Sequence, residues 1–413
     1  MSEHINVTFD EGIATLLLTL PGVNKIGEHF GAALTSGLDQ ALAHEGLKGI
    51  VLGSGHKDFC VGADIDMLFA ERDPAKIVDA CTQLNALYRR IETCGVPVVA
   101  ALTGSALGGG YELALACHYR IALDSGRIQV GLPEVSLGVI PGAGGTQRLP
   151  YIMGLQGAME HMAAGTPLRA PKALGKGMLN ALASDADDLK QKARAWILEN
   201  QGYKQPWDQK RYKWPGGARP MTPAAMQLFI GASAFLYQKT AGAFAAPEAV
   251  IRAVAEGTKL KFDRGVEVET RMFAKLATSD QSKDMIRSLW YHRLAAEKRG
   301  SGLEHGFKKV GILGAGMMGA GLGFLSARTG CEVVIKDIGQ PQLDLAKEHV
   351  DAQIARMRHL SADEKQAIGE RISYTLDNGP LAGSDLIIEA VIENLEIKHQ
   401  VIKEVEPLLA PNG

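Results

Sequence analysis

Two glutamates with glycine-rich neighbours are the first candidates for chemistry in this sequence. Glu112 follows three consecutive glycines at 108–110, and Glu134 comes 22 residues later, ahead of a second glycine-rich stretch at 141–146. Glycines that lead into a helix would direct free backbone N–H groups at a ligand, and the helix dipole would favour negative charge there. Two carboxylates beside such an oxyanion site predict acid–base chemistry at an activated carbonyl group.

Each glutamate also has an ordinary structural explanation. An acidic residue in the first turn of a helix often only complements the helix dipole, and a Pro-Glu pair often only opens a helix. The glycines at 142 and 144 resemble part of a dinucleotide-binding loop, but Gln147 departs from that pattern and no predicted strand leads into it. We therefore assign no cofactor to this stretch.

A second candidate site lies in the C-terminal quarter of the chain. Gly314, Gly316 and Gly319 form a G-x-G-x-x-G pattern between a predicted strand and a predicted helix, which is the context that this motif requires. Asp337 closes the next predicted strand 23 residues after Gly314, near the spacing of the acidic residue that bonds a ribose 2′-hydroxyl. This arrangement predicts NAD as the cofactor in preference to NADP, because a carboxylate would repel the extra phosphate.

The elements that must position these residues indicate an α/β chain. Apolar runs at 13–20, 49–52, 96–102 and 120–123 are typical of strands, and a helical apolar stripe at 77–91 lies between two of them. Strand signals fade from about 151 to 303, where helical patterns surround a Pro- and Gly-rich loop at 205–220. From 304 a strand–helix–strand unit begins, and two helices, two strands and a last helix at 395–409 follow. We expect three regions, at 1–190, 191–303 and 304–413.

Composition argues against several other classes of protein. The chain has 44 Lys and Arg against 46 Asp and Glu, so it lacks the basic field that nucleic acid requires. Five scattered cysteines include no C-x-x-C pair, and eleven histidines include no H-E-x-x-H motif, so we predict no metal site. We also expect no signal peptide or transmembrane segment, and either a bacterial-type cytoplasm or an organelle matrix as the location.

Three stretches of the first half together resemble the enoyl-CoA hydratase (crotonase) family, namely FCVGADI at 59–65, GSALGGGYELALAC at 104–117 and GLPEVSLGVIPGAGGTQRL at 131–149. The resemblance implies a crotonase-like ββα superhelix. It also implies that the backbone N–H groups of Ala63 and Gly109 hold the thioester oxygen of a substrate that contains coenzyme A. Glu112 and Glu134 would then add one water across the C2=C3 bond, usually with Glu112 as the base and Glu134 as the acid.

The longer context resembles bifunctional alpha subunits of fatty-acid oxidation, in which a hydratase is fused to a 3-hydroxyacyl-CoA dehydrogenase. The C-terminal quarter resembles the NAD-binding domain of that dehydrogenase, a partial Rossmann doubly wound domain here. Glu393 and Lys398 match positions near the nicotinamide in that family. The resemblance also implies a thiolase beta subunit as a partner. In the family, the catalytic His–Glu pair follows the point where this sequence ends, so we expect dehydrogenase activity only from a longer chain.

Two other functions stay open beside hydration. A 3-enoyl-CoA isomerase of the same fold needs only one carboxylate to move a proton between C2 and C4, and the presence of two carboxylates favours hydration. A non-catalytic protein that binds acyl-CoA or NAD is the alternative from another class. The motifs do not fix the length of the acyl chain.

Overall fold

The computed structural model describes residues 4–300, 306–357 and 360–413. Contacts divide the chain into two units, Met1–Arg299 and Gly300–Gly413. The predicted start of the third region, at 304, lies outside the described residues. So does residue 359, the predicted end of a helix.

Two sheets form the strand framework of the first unit. Its strands are β1 (Ile5–Asp10), β2 (Ile13–Leu18), β3 (Gly49–Ser54), β4 (Val98–Leu102), β5 (Ala106–Leu107), β6 (Tyr119–Leu123), β7 (Gln129–Gly131), β8 (Leu168–Arg169) and β9 (Ala181–Ala183). The larger sheet has the order β1-β2-β3-β4-β6-β9, and the smaller one has the order β5-β7-β8. In the larger sheet only the β1–β2 pair is antiparallel. The buried, uninterrupted apolar sequences of β3 and β4 are typical of parallel strands covered on both faces.

Helices cover this framework. They are α1 (Phe30–Leu42), α2 (Ile65–Ala70), α3 (Pro74–Glu92), α4 (Gly109–Ala116), α5 (Gly145–Ala164), α6 (Ala170–Gly175), α7 (Ala186–Glu199), α8 (Pro223–Thr240), α9 (Ala245–Gly257), α10 (Phe262–Ala277), α11 (Asp280–Met285) and α12 (Arg293–Gly300). A π-helical turn at Ile286–His292 joins α11 to α12. Alternate strand residues serve different cores: Val51 and Val99 pack with α7, whereas Leu52 and Ala100 belong to the larger core.

Helices α8 to α11, which follow residue 203, are part of the first unit. Helix α9 packs along α5, and α10 packs along both α3 and α9. Apolar residues of α9 and α10, such as Val250 and Ala274, belong to the same buried cluster as the sheet. The segment predicted as a helical region and linker therefore contributes to the core that supports the first candidate site.

The second unit is a four-stranded parallel sheet with helical connections. Its elements are β10 (Lys309–Leu313), α13 (Met317–Arg328), β11 (Glu332–Lys336), α14 (Gln340–Ala355), α15 (Ala362–Glu370), β12 (Ile372–Thr375), β13 (Leu386–Glu389) and α16 (Leu395–Val405). The strand order β12-β11-β10-β13 is that of the first half of a doubly wound nucleotide-binding fold. The predicted last helix, 395–409, is wrong at its end: α16 ends at Val405 and a 3₁₀ turn follows, because Pro407 has no N–H group with which to continue the helical hydrogen bonds.

Residues 4–300, 306–357 and 360–413 lack two further features. No helix in these ranges is long and apolar enough to cross a membrane. No group of three or more His, Cys, Asp or Glu side chains in the same ranges is arranged to hold a metal ion.

Candidate active site

The three consecutive glycines form the entrance to α4. Gly108 is the N-cap with a φ of 53°, a conformation that favours glycine, and α4 begins at Gly109. As the first residue of a helix, Gly109 has an N–H group without an intrahelical acceptor, and no other described main-chain group accepts it. A Cβ on Gly109 would collide with Ile26 Cδ1, so a larger residue here would have to displace this terminal methyl group.

A second unengaged N–H group belongs to Ala63. Its segment pairs with Ile26 through the N–H of Ile26, which donates to Gly62 O at 2.8 Å, and the N–H of Asp64, which donates to Ile26 O at 2.9 Å. This parallel bridge uses the groups on either side of Ala63 and leaves the N–H of Ala63 without an acceptor among the described residues. Ala63 and Gly109 line the same cavity. The structure therefore brings together the two predicted oxyanion donors.

Glu112 lies in the first turn of α4 and is 2% exposed. Its Oε1 accepts hydrogen bonds from the N–H of Ala143 at 2.8 Å and from the N–H of Gly145 at 2.7 Å. Both donors belong to the second glycine-rich stretch. That stretch therefore positions a carboxylate, which explains its glycines without a dinucleotide.

Glu134 approaches the same place from another element. It opens a 3₁₀ turn, Glu134–Leu137, and is 9% exposed. Neither of its buried carboxyl oxygens has a hydrogen-bond partner among the described residues. A Cβ on Gly108 would lie 3.1 Å from Glu134 Oε1, and a Cβ on Gly109 would lie 3.7 Å from Glu112 Oε2. The two carboxyl groups thus reach adjacent residues of one glycine turn.

Their surroundings give the two carboxyl groups different proton affinities. Burial raises the pKa of Glu112 to about 7, and the hydrogen bonds from Gly145 and Ala143 oppose that rise. Burial and then the charge of Glu112 raise the pKa of Glu134 well above its usual range, and no donor from another residue opposes that rise. Glu134 therefore holds a proton more strongly than an ordinary glutamate does, and Glu112 is present in both protonation states near neutral pH.

A third carboxyl group, from Glu269 of α10, was not predicted. It is fully buried and accepts hydrogen bonds from the N–H of Gly144 at 2.5 Å, the N–H of Thr146 at 2.7 Å and the hydroxyl of Thr146 at 2.5 Å. The signal available in the sequence is a charged residue on the apolar face of an amphipathic helix, where Phe262, Val266 and Glu269 follow one another at helical spacing. A charge on such a face needs a specific partner.

A cavity of about 950 Å³ opens beside these groups. It contains both glutamates and both oxyanion donors, and most of its remaining lining is apolar. The apolar lining includes Ile26, Phe30, Met67, Leu68, Ile77, Leu84, Leu87, Leu137, Val139 and Phe273. A polar reacting centre next to an apolar channel is suited to a thioester with a hydrocarbon chain.

The three glycines of the G-x-G-x-x-G motif in the second unit have three different structural roles. Gly314 has a φ of +98° at the turn after β10, and a Cβ there would lie 2.6 Å from Ala390 O. Gly319 packs against Gly314 O too closely for a Cβ. Gly316 is the N-cap of α13 and faces open space, with no atom within 4 Å of the position of a Cβ. Free helix N–H groups beside such space fit a pyrophosphate.

The predicted acidic residue lies at this turn. Asp337 follows β11, and its Oδ2 accepts a hydrogen bond from the N–H of Ala315 at 2.6 Å. Its Oδ1 accepts from the N–H of Ile338 at 2.7 Å. The carboxylate is therefore fixed beside the glycine motif, as the ribose-binding prediction requires.

The two residues predicted near a nicotinamide also lie together. Lys398 Nζ contacts Glu393 Oε2 at 3.2 Å, and it donates to Glu389 Oε2 at 2.8 Å. The hydrogen bonds that Lys398 donates to Glu389 and Glu393 raise its pKa. Glu389 was not predicted; it ends β13, and the carboxyl ends of parallel strands are where ligands bind in such folds.

Comparisons with protein families identify both halves of the chain. Residues 8–203 match the family described as enoyl-CoA hydratase/isomerase. Residues 309–413 match the NAD-binding domain of 3-hydroxyacyl-CoA dehydrogenase. Residues between these two ranges, which include Glu269, belong to neither match.

Two curated relatives are both described as fatty acid oxidation complex subunit alpha. The one from Shewanella loihica is 33% identical over 408 residues, which cover 96% of this chain and 57% of the relative. The one from Shewanella baltica is 33% identical over 419 residues, which cover 98% of this chain and 58% of the relative. The chain thus spans a little over half the length of these relatives.

Solved structures agree on the fold of the first unit. An enoyl-CoA hydratase from Bacillus halodurans superposes with a TM-score of 0.50 at 18% identity, covering 69% of this chain and all of that one. Human mitochondrial delta3-delta2-enoyl-CoA isomerase gives a TM-score of 0.51 at 21% identity, covering 72% of this chain and all of that one. The α/β fold with a crotonase-like first unit is confirmed. The chain is a homologue of fatty acid oxidation complex alpha subunits, and it joins a domain of the enoyl-CoA hydratase/isomerase family to an NAD-binding domain of the 3-hydroxyacyl-CoA dehydrogenase family.

Proposed function

We propose that the first unit hydrates trans-2-enoyl-CoA thioesters to 3-hydroxyacyl-CoA. One observation carries this proposal: two carboxyl groups of different proton affinity adjoin two unengaged N–H groups in a single, largely apolar cavity. The family match over residues 8–203 supports the same reaction class.

The N–H groups of Ala63 and Gly109 polarise the thioester carbonyl in this proposal. As hydroxide adds to C3, negative charge moves through C2 onto the thioester oxygen. Donors that are already oriented stabilise that charge more in the transition state than in the bound substrate. No other described main-chain group competes for these two donors, which supports this role.

The two glutamates divide the proton transfers. Glu112, whose carboxylate is favoured by the N–H groups of Ala143 and Gly145, accepts a proton from water as its oxygen bonds to C3. Glu134, whose raised pKa favours the protonated form, delivers a proton to C2. One water is consumed, and the two carboxyl groups regain their starting states by exchanging a proton with solvent.

A second candidate is isomerisation of 3-enoyl-CoA. Both oxygens of Glu134 lack hydrogen-bond partners among the described residues, so this carboxyl group is free to take a proton at one carbon and return it at another. Hydration is preferred because isomerisation gives no role to the firmly held carboxylate of Glu112.

We further propose that the second unit binds NAD. Gly316 and the start of α13 would hold the pyrophosphate, Asp337 the adenosine ribose, and Glu393 and Lys398 would lie near the nicotinamide. Bound NAD would accept a hydride from the carbinol carbon of 3-hydroxyacyl-CoA, the product of the first unit. The NAD-binding family match over residues 309–413 supports the cofactor.

The relatives are described as subunits of a complex. We propose that this chain likewise assembles with a second subunit, a thiolase, in the cytoplasm. Co-expression with a tag on one subunit tests this: the other subunit is expected in the purified material, and its absence would count against the assembly.

The hydratase proposal is tested by mixing the purified protein with crotonyl-CoA. The absorbance of the conjugated enoyl thioester should fall, and mass spectrometry should show a product one water heavier. If crotonyl-CoA is bound but unchanged, the protein is a binder and the proposal is wrong. If 3-enoyl-CoA is converted to 2-enoyl-CoA but no water adds, the isomerase alternative is correct.

A further inference from the structure

We propose that Glu269, in a helix outside both matched domains, is a positioning residue for hydration because it holds the loop that holds Glu112. This inference rests on the proposed hydratase function. It assigns a role in the reaction to a segment that carries none of the family motifs.

The loop at 143–146 is bonded on both sides by carboxylates. The N–H groups of Ala143 and Gly145 donate to Glu112, whereas those of Gly144 and Thr146 donate to Glu269. Four successive N–H groups therefore alternate between the two glutamates. Displacing the loop from Glu269 would also withdraw the two donors that orient Glu112.

Other residues hold the carbonyl groups of the same loop. Asn85 of α3 donates to Gly142 O at 3.1 Å, and Arg148 donates to Ala143 O at 2.6 Å. Neither side chain is an acceptor for the loop N–H groups. Glu269 alone among the described residues accepts those of Gly144 and Thr146, and leaving them buried and unpaired would cost free energy.

The surroundings of α10 fix its position over the cavity. Phe273, one turn after Glu269, lines the cavity. Farther along the chain, the buried Lys283 donates from Nζ to Leu68 O at 2.5 Å and to Glu71 O at 2.8 Å, at the C-terminal end of α2. The segment that bears Glu269 therefore contacts the site at three separate places.

Several ionisable groups lie near Glu112 and Glu269. Burial and then the charge of Glu112 raise the pKa of Glu269 to about 8, and burial and then the charges of Glu112 and Glu269 raise that of Glu134. Arg148 of α5 lowers the pKa of Glu112. The thiol of Cys81 and the hydroxyl of Tyr88, both on α3, feel the charge of Glu112 as well, but their own pKa values are raised by burial, so they stay neutral near neutral pH.

The direction in which the pKa of Glu112 shifts therefore distinguishes a positioning role of Glu269 from a purely electrostatic one. Glu269→Gln without movement of the loop would lower the pKa of Glu112 where Glu269 is ionised, because two nearby negative charges oppose each other, and would leave it unchanged where Glu269 is protonated. Releasing the loop would remove two hydrogen bonds from the Glu112 carboxylate and raise its pKa. A positioning role predicts the second outcome.

The test compares Glu269→Gln with Glu267→Gln, an exposed neighbour on the same helix that pairs with Arg264. In Glu269→Gln the amide nitrogen would face N–H groups, so the loop should shift. We expect a fall in kcat of up to about 100-fold with little change in KM. The acidic limb of the kcat/KM profile should move to higher pH. Glu267→Gln should match the wild type in all three respects.

A milder variant covers the case in which Glu269→Gln does not fold. Thr146→Val keeps the shape of the side chain and removes the hydroxyl, which donates to Glu269 and accepts a hydrogen bond from Gln147 Nε2 at 2.9 Å. It should lower kcat by about 10-fold or less and shift the acidic limb in the same direction. An acidic limb that moves to lower pH, or an unchanged profile in whichever of the two variants folds, would overturn the positioning role. A wild-type protein that fails to hydrate crotonyl-CoA would instead overturn the proposed function.

Discussion

Glu112 and Glu134 reach adjacent residues of the turn at Gly108 and Gly109, yet only Glu112 receives hydrogen bonds from other residues. This asymmetry assigns them different roles in the proposed hydration. A carboxylate held by two N–H groups is a base with a fixed direction. A buried carboxyl group without partners retains its proton and is an acid.

The first prediction concerns the two carboxyl groups themselves. Glu112→Gln and Glu134→Gln should each lower kcat by about 10²–10⁴-fold, because general acid–base catalysis is typically worth that much. KM for crotonyl-CoA should change little, since the amide keeps the size of the side chain. Steady-state kinetics measures both constants. A double variant with wild-type turnover would remove both glutamates from the mechanism.

The second prediction concerns pH. Glu112 acts as the carboxylate, so kcat/KM should fall as pH drops through about 7, the raised pKa of this group. Glu134 acts as the acid, so activity should also fall at alkaline pH, where it loses its proton. A profile measured with crotonyl-CoA should therefore be bell-shaped. Full activity down to the ordinary pKa range of a glutamate would show that Glu112 is not the base.

The third prediction is that catalysis and stability oppose each other at Glu134. Its pKa is higher in the folded protein than in the unfolded chain, so folding takes up a proton and stability falls as pH rises from the unfolded pKa toward the folded one. The amide of Glu134→Gln does not ionise, so the variant does not lose stability in this way. At mildly alkaline pH the first unit of the variant should be more stable by about 1–3 kcal/mol. The difference should vanish below the usual pKa of a glutamate.

Tryptophan fluorescence can measure this difference for the first unit alone, because all four tryptophans lie within it: Trp196, Trp207, Trp214 and Trp290. Denaturant titration at acidic and alkaline pH supplies the comparison. A variant that is less stable than the wild type at alkaline pH would contradict the raised pKa of Glu134.

The fourth prediction concerns the oxyanion donors. Gly109→Val should abolish most hydration, because its side chain would collide with Ile26 and displace the N–H group. Gly231→Ala is the matched control, since Gly231 lies in α8 and has no atom within 4 Å of the position of a Cβ. Normal turnover by a folded Gly109→Val protein would show that this N–H group does not stabilise the transition state.

The fifth prediction concerns the dinucleotide. NADH should bind more tightly than NADPH, and Asp337→Ala should reduce that preference, because it removes the carboxylate that repels a 2′-phosphate. Gly316→Val should block binding without loss of folding, since the added side chain occupies open space. Titration of cofactor fluorescence measures each affinity. Tighter binding of NADPH by the wild type would contradict the assignment.

The sequence predicts those parts of the site that depend on local patterns. The turn at 108–110, the helix that follows it and the order of the four strands in the second unit depend on glycine placement and apolar periodicity. The edge strand β1, Ile5–Asp10, was not predicted, because half-exposed edge strands carry little apolar signal.

Glu269 shows what local sequence patterns cannot predict. It bonds a loop that precedes it by more than 120 residues, and helical periodicity alone says nothing of which segment a helix face meets. The second glycine-rich stretch, at 141–146, shows the same limit of local sequence patterns. Its pattern alone assigns it no cofactor and no purpose, whereas in the structure the N–H groups of Ala143 and Gly145 donate to Glu112.

One isotope measurement tests the central claim most directly. Crotonyl-CoA is incubated with the wild-type protein in water that carries both ¹⁸O and deuterium, and the product is analysed by mass spectrometry. The account predicts 3-hydroxybutyryl-CoA with one ¹⁸O at C3 and one deuterium at C2, formed by the wild type and far more slowly by Glu112→Gln. If the recovered enoyl thioester contained deuterium and no ¹⁸O-labelled 3-hydroxybutyryl-CoA formed, the protein would only shuttle protons, and hydration would be contradicted.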